Sequence, residues 1–255
     1  MKFLLLVSVL LFPAGLVRSE EKSTSLKVLC WNIHHGRGAD DKVDLERIAA
    51  VIRGREPDVM MLQEVDKNCE RSGKVDQPAE LARLTGMKQV FGKAMDFQGG
   101  EYGQALLSRF PLAGLKIHRL PGDGEPRVAI SAMVETPLGP VMIAGLHLDH
   151  KNPATRDKQA EVVSVGLLKE TTGPIILAGD FNATPDSGTL AVFRQPPWSV
   201  VAKEEPSATC PADNPKVEID FTVLRGLRQE KPSIVLPESI ASDHRPVLTI
   251  VAKPE

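Results

Sequence analysis

Polar side chains suited to a catalytic or metal site stand at the end of a strongly apolar stretch. Residues 175–178 are all apolar, Gly179 follows them, and then come Asp180 and Asn182. Such a run is typical of a strand buried on both faces. Residues two apart on an extended chain point the same way, so a carboxylate and a carboxamide would face one spot. Open α/β sheets place active sites outside such strand ends, although a simple turn that caps the strand uses the same residue types.

A second acid occupies the equivalent place after another apolar run. Residues 59–64 predict a buried strand that ends at Glu64. A lone glutamate there would be a solvated strand end. Because Asp180 is expected at the same edge, a metal site is the favoured interpretation of the pair.

Asn32 ends a predicted strand over residues 26–32 and begins the loop that carries His34 and His35. For Asn32 the alternative is a turn that ends the strand. For the two histidines, a solvated loop is favoured over metal ligation.

Further candidate residues flank the other predicted strands. Arg127 precedes a strand at 128–135, and His147 ends a strand at 141–147. The Pro-Leu-Gly sequence at 137–139 is a tight-turn signal, so the two strands should form a hairpin.

Two more acids and a histidine lie near the end of the chain. Asp220 falls midway in a predicted strand at 217–224, where burial of its charge is costly unless it has a partner. Asp243 and His244 stand shortly before a closing strand at 247–251.

The helices predicted between these strands have recognisable starts. Asp44 precedes a helix with one apolar face, Pro78 stands in the first turn of a short helix that Gly86 ends, and Asn152-Pro153 begins a third. No repeat or Ser/Gly linker interrupts the pattern, so we expect one domain over residues 26–252.

The first 19 residues resemble a signal peptide. Lys2 precedes the mostly apolar stretch 3–17, which is too short for a comfortable membrane span, and cleavage is expected after Ser19. Cleavage would remove Lys2 and Arg18, leaving 29 of the 31 basic residues against 33 acidic ones, a net charge of −4. We therefore expect an exported protein, periplasmic or extracellular, with no membrane span after cleavage and no predicted protein partner. The absence of a basic excess disfavours long nucleic acids as substrates.

Three cysteines leave at least one thiol unpaired. Cys30 is expected in a buried strand. A disulfide between Cys69 and Cys210 is a hypothesis suggested by their loop positions and by export.

Six short motifs occur in the order seen in a known superfamily. They are Trp31-Asn32, Gln63-Glu64, His147-Leu148, Gly179-Asp180-Phe181-Asn182, Ile219-Asp220 and Ser242-Asp243-His244. Together they resemble the endonuclease/exonuclease/phosphatase superfamily of metal-dependent phosphoesterases, which includes DNase-I-like nucleases, neutral sphingomyelinases and inositol-polyphosphate 5-phosphatases. The resemblance implies a four-layer α/β sandwich, with two mixed sheets packed face to face and helices outside.

The resemblance also implies a metal site. Glu64 would be the principal ligand, and Asn32 and Asp243 would support it. These hard oxygen ligands suit Mg²⁺, with Mn²⁺ as the expected substitute.

The remaining roles concern the attacking water and the phosphoryl group. By resemblance, Asp180 would orient or deprotonate the water, Asn182 would hold a phosphate oxygen, and His147 would contact the phosphate. His244 would contact the phosphoryl group while Asp220 fixes its tautomer. Either Asp180 or His244 could be the formal base.

Arg127 is a further candidate for binding the phosphate. The expected activity is Mg²⁺-dependent hydrolysis of a small or lipid-derived phosphoester, by a phosphodiesterase or phosphatase. A secreted DNase-I-like nuclease is the alternative, and a catalytically silent binding module is a third. No aromatic-rich insertion suggests a membrane-docking hairpin, so a sphingomyelinase is not proposed.

Overall fold

The computed structural model describes residues 25–254, which form two six-stranded sheets with helices beside them. The helices are α1 (Leu45–Arg55), α2 (Gln77–Thr85), α3 (Pro153–Glu170) and α4 (Gly188–Phe193). The strands are β1 (Ser25–Asn32), β2 (Val59–Lys67), β3 (Lys88–Phe97), β4 (Gly100–Ser108), β5 (Leu112–Arg119), β6 (Val128–Thr136), β7 (Gly139–His147), β8 (Ile175–Asp180), β9 (Trp198–Val200), β10 (Asp220–Arg225), β11 (Arg228–Val235) and β12 (Val247–Ala252). The predicted signal peptide lies outside the described residues. Within 25–254, no helix has the length and apolar character needed to cross a membrane.

Both sheets are mixed, and each has one parallel pair at its centre. The first sheet has the order β11-β12-β1-β2-β4-β3, and the second has the order β5-β6-β7-β8-β10-β9. Strands β1 and β2 are parallel, as are β7 and β8, while the other neighbours are antiparallel. Strand β1 packs against β8, and β2 packs against β7. The carboxyl ends of four central strands are therefore close together.

Three apolar clusters give the molecule its layers. One lies between the sheets and includes Val28, Met61 and Ile143. The others lie on the outer faces, where α1 and α2 cover the first sheet and α3 and α4 cover the second. The predicted four-layer α/β sandwich is confirmed.

The predicted helix starts are present. Asp44 and Asn152 each accept a hydrogen bond from a backbone N–H in the first turn of their helix, at 3.0 and 3.2 Å. Pro78 lies in the first turn of α2, and Gly86 ends that helix in a left-handed conformation. These caps satisfy N–H and C=O groups that a helix end leaves free.

The segment after Asp186 contains α4, β9 and β11 in addition to the two strands predicted there. Asp220 does not lie midway in a strand, because β10 begins at this residue. Val217 instead pairs with Cys210 in an isolated bridge. Since β10 runs antiparallel to β8, its first residue is opposite Asp180 in the register. Asp220 therefore lies at the same sheet edge as Asp180.

Candidate active site

A cavity of about 250 Å³ opens where the two parallel strand pairs end. Six of the predicted site residues line it: Glu64, Arg127, His147, Asp180, Asn182 and His244. These side chains come from both sheets and from the loop before β12. The packing of β1 on β8 and of β2 on β7 therefore assembles the site.

His244 and Asp220 form a buried hydrogen-bonded pair. His244 Nδ1 lies 2.9 Å from Asp220 Oδ2, and His244 Nε2 lies 3.8 Å from Asp180 Oδ2. Burial lowers the pKa of His244, but the carboxylates of Asp220 and Asp180 outweigh it and raise that pKa well above its ordinary value. The imidazolium form is thus favoured. The backbone of His244 is also held, since Trp31 Nε1–H donates to its carbonyl at 2.8 Å.

Asp180 is the buried carboxylate at the centre of the site. Its Oδ1 accepts the backbone N–H of Asn182 at 2.9 Å, and its Oδ2 accepts from Asn32 Nδ2 at 3.2 Å. Burial raises the pKa of Asp180 to about 7, with Asp220 adding to the rise and His244 opposing it. A carboxylate with a pKa near neutrality can exchange a proton at working pH.

Arg127 joins two histidines in the cavity wall. Its guanidinium lies 2.8 Å from His147 Nδ1 and 3.0 Å from His150 Nδ1, and it also pairs with Glu125 at 3.2 Å. An arginine only donates, so both Nδ1 atoms must accept, and the proton of each neutral ring lies on Nε2. Burial and Arg127 lower the pKa of His147 well below its ordinary value, which agrees with a neutral ring. His147 therefore presents Nε2–H towards Asp180 Oδ2, 3.4 Å away.

Two of the three predicted metal ligands, Asn32 and Glu64, meet beside Asp180. Asn32 Nδ2 donates to Glu64 Oε1 at 3.0 Å as well as to Asp180. Glu64 has a φ of 55° and sits at an irregularity in the β2–β4 pairing, between Leu62 and Val65. Bulges of this kind re-aim side chains next to active sites.

The donor set fits the Mg²⁺ that the family implies. The carboxylates of Glu64 and Asp180 both accept from Asn32 Nδ2, so they lie side by side, and Glu64 supplies a hard oxygen ligand. Asn32 Oδ1 accepts the backbone N–H of His34 at 3.1 Å. Burial disfavours the ionised form of Asp180, so a cation beside it would stabilise the charge. Asp243 is exposed, 3.8 Å from His34 Nδ1, and stands at the rim of this group.

The extended backbone of β8 does not continue to Asn182. β8 ends at Asp180, and Asn182 has a φ of 49°, so the expectation that both side chains share one side of an extended chain is wrong. The capping turn is present instead, closed by the bond from the Asn182 N–H to Asp180. Asn182 still reaches the cavity, because its Nδ2 bonds the Leu148 carbonyl at 3.1 Å and holds the side chain there.

Sequence reasoning did not assign a role to one wall of the cavity. Its residues are Arg71, Met95, Phe97, Tyr102, Glu125 and His150. Arg71 makes two hydrogen bonds of 2.8 Å to the buried Asp66, and its guanidinium lies 4.5 Å from the Phe97 ring centre and 5.4 Å from that of Tyr102. The available signal was an arginine in the polar loop that follows Glu64.

Two other expectations are corrected by the structure. His35 is buried, with 5% of its surface exposed, so a solvated loop is wrong for this residue; His34 is half-buried. The disulfide hypothesis is also wrong, because all three cysteines are free. Cys69 Sγ contacts the Glu101 carbonyl, whereas Cys210 pairs through its backbone with Val217. Cys30 is buried as predicted.

Comparisons with known proteins agree with this architecture. The sequence model of the Endonuclease/Exonuclease/phosphatase family matches residues 29–244. The chain therefore belongs to this family, whose members are hydrolases that act on phosphoesters. A relative from Vibrio cholerae, named only as a UPF0294 protein, is 26% identical over 232 residues, which are 88% of this chain and 76% of the relative.

Solved structures show the same fold. An endonuclease/exonuclease/phosphatase from Beutenbergia cavernae superposes with a TM-score of 0.74 at 24% identity, covering 91% of this chain and 72% of that one. A mannosyl-6-phosphatase from Bacteroides thetaiotaomicron gives a TM-score of 0.74 at 18% identity, covering 89% of this chain and 99% of that one. At these identities the likeness concerns the fold.

Proposed function

We propose that this chain is an exported, Mg²⁺-dependent phosphoester hydrolase that acts as a phosphodiesterase or phosphatase on a small or lipid-derived phosphoester. The observation that carries the proposal is the continuous set of contacts from Asp220 through His244 and Asp180 to Asn32 and Glu64. With a cation held at Glu64, such an array would offer that cation, a protonated imidazole and a carboxylate to one phosphoryl group. These are the elements that phosphoester hydrolysis needs.

Each residue of the array has a distinct task in the proposed reaction. Protonated His244 contacts the phosphoryl oxygens, and Asp220 holds the ring through Nδ1. His147 adds a neutral Nε2–H donor, and Asn182 is placed to hold a phosphate oxygen. Mg²⁺, held by Glu64 with support from the Asn32 and Asp243 side chains, would supply neutralisation of the phosphate charge.

The two candidate bases differ in their protonation. The pKa of His244 is raised well above its ordinary value, so this residue starts the cycle charged and cannot accept a proton. The carboxylate of Asp180, with a pKa of about 7, is able to accept one from the attacking water. The charges therefore support Asp180 as the base.

The size of the cavity and the net charge of the chain support a small substrate. A cavity of about 250 Å³ is below the roughly 300–1,000 Å³ typical of ligand pockets, so it suits a phosphoryl group with a small alcohol. The net charge of −4 expected for the mature chain disfavours a long polyanion. The mannosyl-6-phosphatase on the same fold is a precedent for a small phosphoester there.

A substrate panel tests the proposal. The chain from residue 20 would be incubated with bis(p-nitrophenyl) phosphate, p-nitrophenyl phosphate, glycerophosphodiesters, sphingomyelin and plasmid DNA, each with Mg²⁺, Mn²⁺ or EDTA. We expect turnover of the small esters with either metal and none in EDTA. Preferential cleavage of DNA would establish the nuclease alternative. Absence of turnover on every ester, with metal bound, would support a binding module.

Export needs a separate test. Residues 1–19 fused to a reporter enzyme that folds only outside the cytoplasm should confer reporter activity, and a charge placed within residues 3–17 should abolish it. Reporter activity that is unaffected by the charge would reject the signal-peptide assignment.

A further inference from the structure

Two adjacent histidines lie beside Glu64 and have no task in the proposed reaction. His34 and His35 form a 3₁₀ turn directly after β1. One ring nitrogen of each and one carboxylate oxygen of Glu64 all lie within 4.8 Å of one another. Ligands about 2.1 Å from a shared ion lie about 3.4 Å apart in tetrahedral geometry, so binding one ion requires closure by at most about 1.4 Å.

The backbone around this cluster is held in an uncommon conformation. His34 and His35 both have a φ of 45°, and Glu64 has a φ of 55°. Such values are uncommon outside glycine and cluster at binding and catalytic sites. The turn is fixed from outside, because Gln77 Nε2 donates to the His35 carbonyl at 2.7 Å. The three side chains are thus pre-oriented by two separate backbone features.

The His35 ring carries an unsatisfied polar atom. Its Nδ1 is buried and has no hydrogen-bond partner among residues 25–254. An unpaired buried nitrogen costs free energy unless a ligand occupies it. The nearby Arg71 is engaged by two hydrogen bonds to Asp66, and the Asp243 carboxylate lies 3.8 Å from His34 Nδ1. The Glu64 and Asp243 carboxylates would therefore attract a cation, and the Asp66 carboxylate offsets the positive charge of Arg71.

We propose that His34, His35 and Glu64 bind a divalent transition-metal ion, such as Co²⁺ or Zn²⁺, at a position separate from the Mg²⁺ position proposed beside Glu64 and Asn32. Two imidazoles and one carboxylate select such ions over Mg²⁺, which prefers oxygen. The inference rests on the proposed function, since Glu64 would serve both positions. It predicts that the site discriminates between metals by means of the two histidines.

Direct binding measurements test this site. The mature chain would be titrated with Co²⁺ by visible absorption, with Mg²⁺ by calorimetry, and with Cu²⁺ for detection of imidazole nitrogen coupling by electron spin echo spectroscopy. We expect nitrogen coupling in the native protein. His35→Asn tolerates a positive φ and should weaken Co²⁺ binding at least about 10-fold, since even indirect partners of a metal are worth about 10–100-fold. Mg²⁺ affinity should change far less.

The controls separate a local effect from a general one. The control is His118→Asn, because His118 lies on the other sheet and pairs with Glu170. This variant should bind Co²⁺ as the native protein does. Thermal unfolding would show whether His35→Asn is folded; if it is not, the less buried His34→Asn decides the question. Absence of nitrogen coupling, or equal Co²⁺ affinity in the folded variant, would overturn the site.

The same preparation distinguishes this failure from that of the proposed function. Loss of the imidazole signal together with intact Mg²⁺-dependent ester turnover would reject only the histidine site. Retention of the signal without turnover of any ester would reject only the hydrolase.

Discussion

Replacing Asp220 by asparagine should disable His244 without removing it. The buried Asp220 carboxylate accepts from Nδ1 at 2.9 Å and is, after burial, the first contributor to the raised pKa of His244. A carboxamide is almost the same size as a carboxylate, so the change removes a charge and leaves the packing intact. Two unit charges about 4 Å apart attract by about 4 kcal/mol at an effective dielectric constant of about 20. If the transition state requires imidazolium, the rate should fall about 10³-fold.

The pH dependence gives this prediction a sign. Without the carboxylate the pKa of His244 falls, so the protonated ring is lost at a lower pH, and the alkaline limb of the rate profile should move to lower pH. The assay is the pH profile of kcat/KM on bis(p-nitrophenyl) phosphate at saturating Mg²⁺. Asp213→Asn is the matched control, because Asp213 is exposed in the loop before β10. A rate within about 3-fold of the native one, with an unmoved alkaline limb, would refute the role of the pair.

Three further changes test the neighbouring groups. Asp180→Asn should retain Mg²⁺ binding by calorimetry and lower turnover by about 10²–10⁴-fold. The control Asp186→Asn, at an exposed position, should change neither quantity. Loss of Mg²⁺ binding in Asp180→Asn would instead make Asp180 a ligand. Arg127→Lys replaces the two guanidinium nitrogens that bond His147 and His150 separately with a single ammonium, and should lower kcat/KM about 10–100-fold. An unchanged rate would show that ring orientation does not depend on Arg127. Since the pKa of His147 is lowered in the folded state, its contribution to stability is present above the unfolded pKa of about 6.5 and lost as pH falls below it. The Tm of the native protein should therefore drop more between pH 7 and pH 5 than that of His147→Gln, and parallel curves would contradict this assignment.

The sequence predicted the sheet edge well, because apolar runs and strand-end acids are local signals. The run before Asp180 is buried as expected, and Glu64 lies close to it. The backbone conformation at these positions was not predictable from the run. Both Glu64 and Asn182 have positive φ values, which depend on the pairing of β2 with β4 and on the turn after β8.

Contacts between distant segments account for the other differences. His35 is buried because Gln77, from α2, bonds its carbonyl. Arg71 reaches the cavity because Asp66 anchors it beside an aromatic ring from β3. Asp220 begins β10 because the loop before it pairs with Cys210. His35 and Gln77 are 42 residues apart. The contacts of Arg71 with Asp66 and of Cys210 with Val217 are shorter in range but involve turns and an isolated bridge, so they leave no periodic pattern.

The dependence of turnover on Mg²⁺ and on Glu64 decides whether the mechanism is metal-dependent. Hydrolysis of bis(p-nitrophenyl) phosphate would be followed across a Mg²⁺ titration for the native protein, for Glu64→Gln and for Glu70→Gln, an exposed control that pairs with Lys74. We predict that EDTA abolishes native turnover, that Glu70→Gln is unaffected, and that Glu64→Gln loses at least about 10²-fold even at high Mg²⁺. Native turnover that persists in EDTA, or a normal rate for Glu64→Gln at saturating Mg²⁺, would contradict the metal-dependent mechanism.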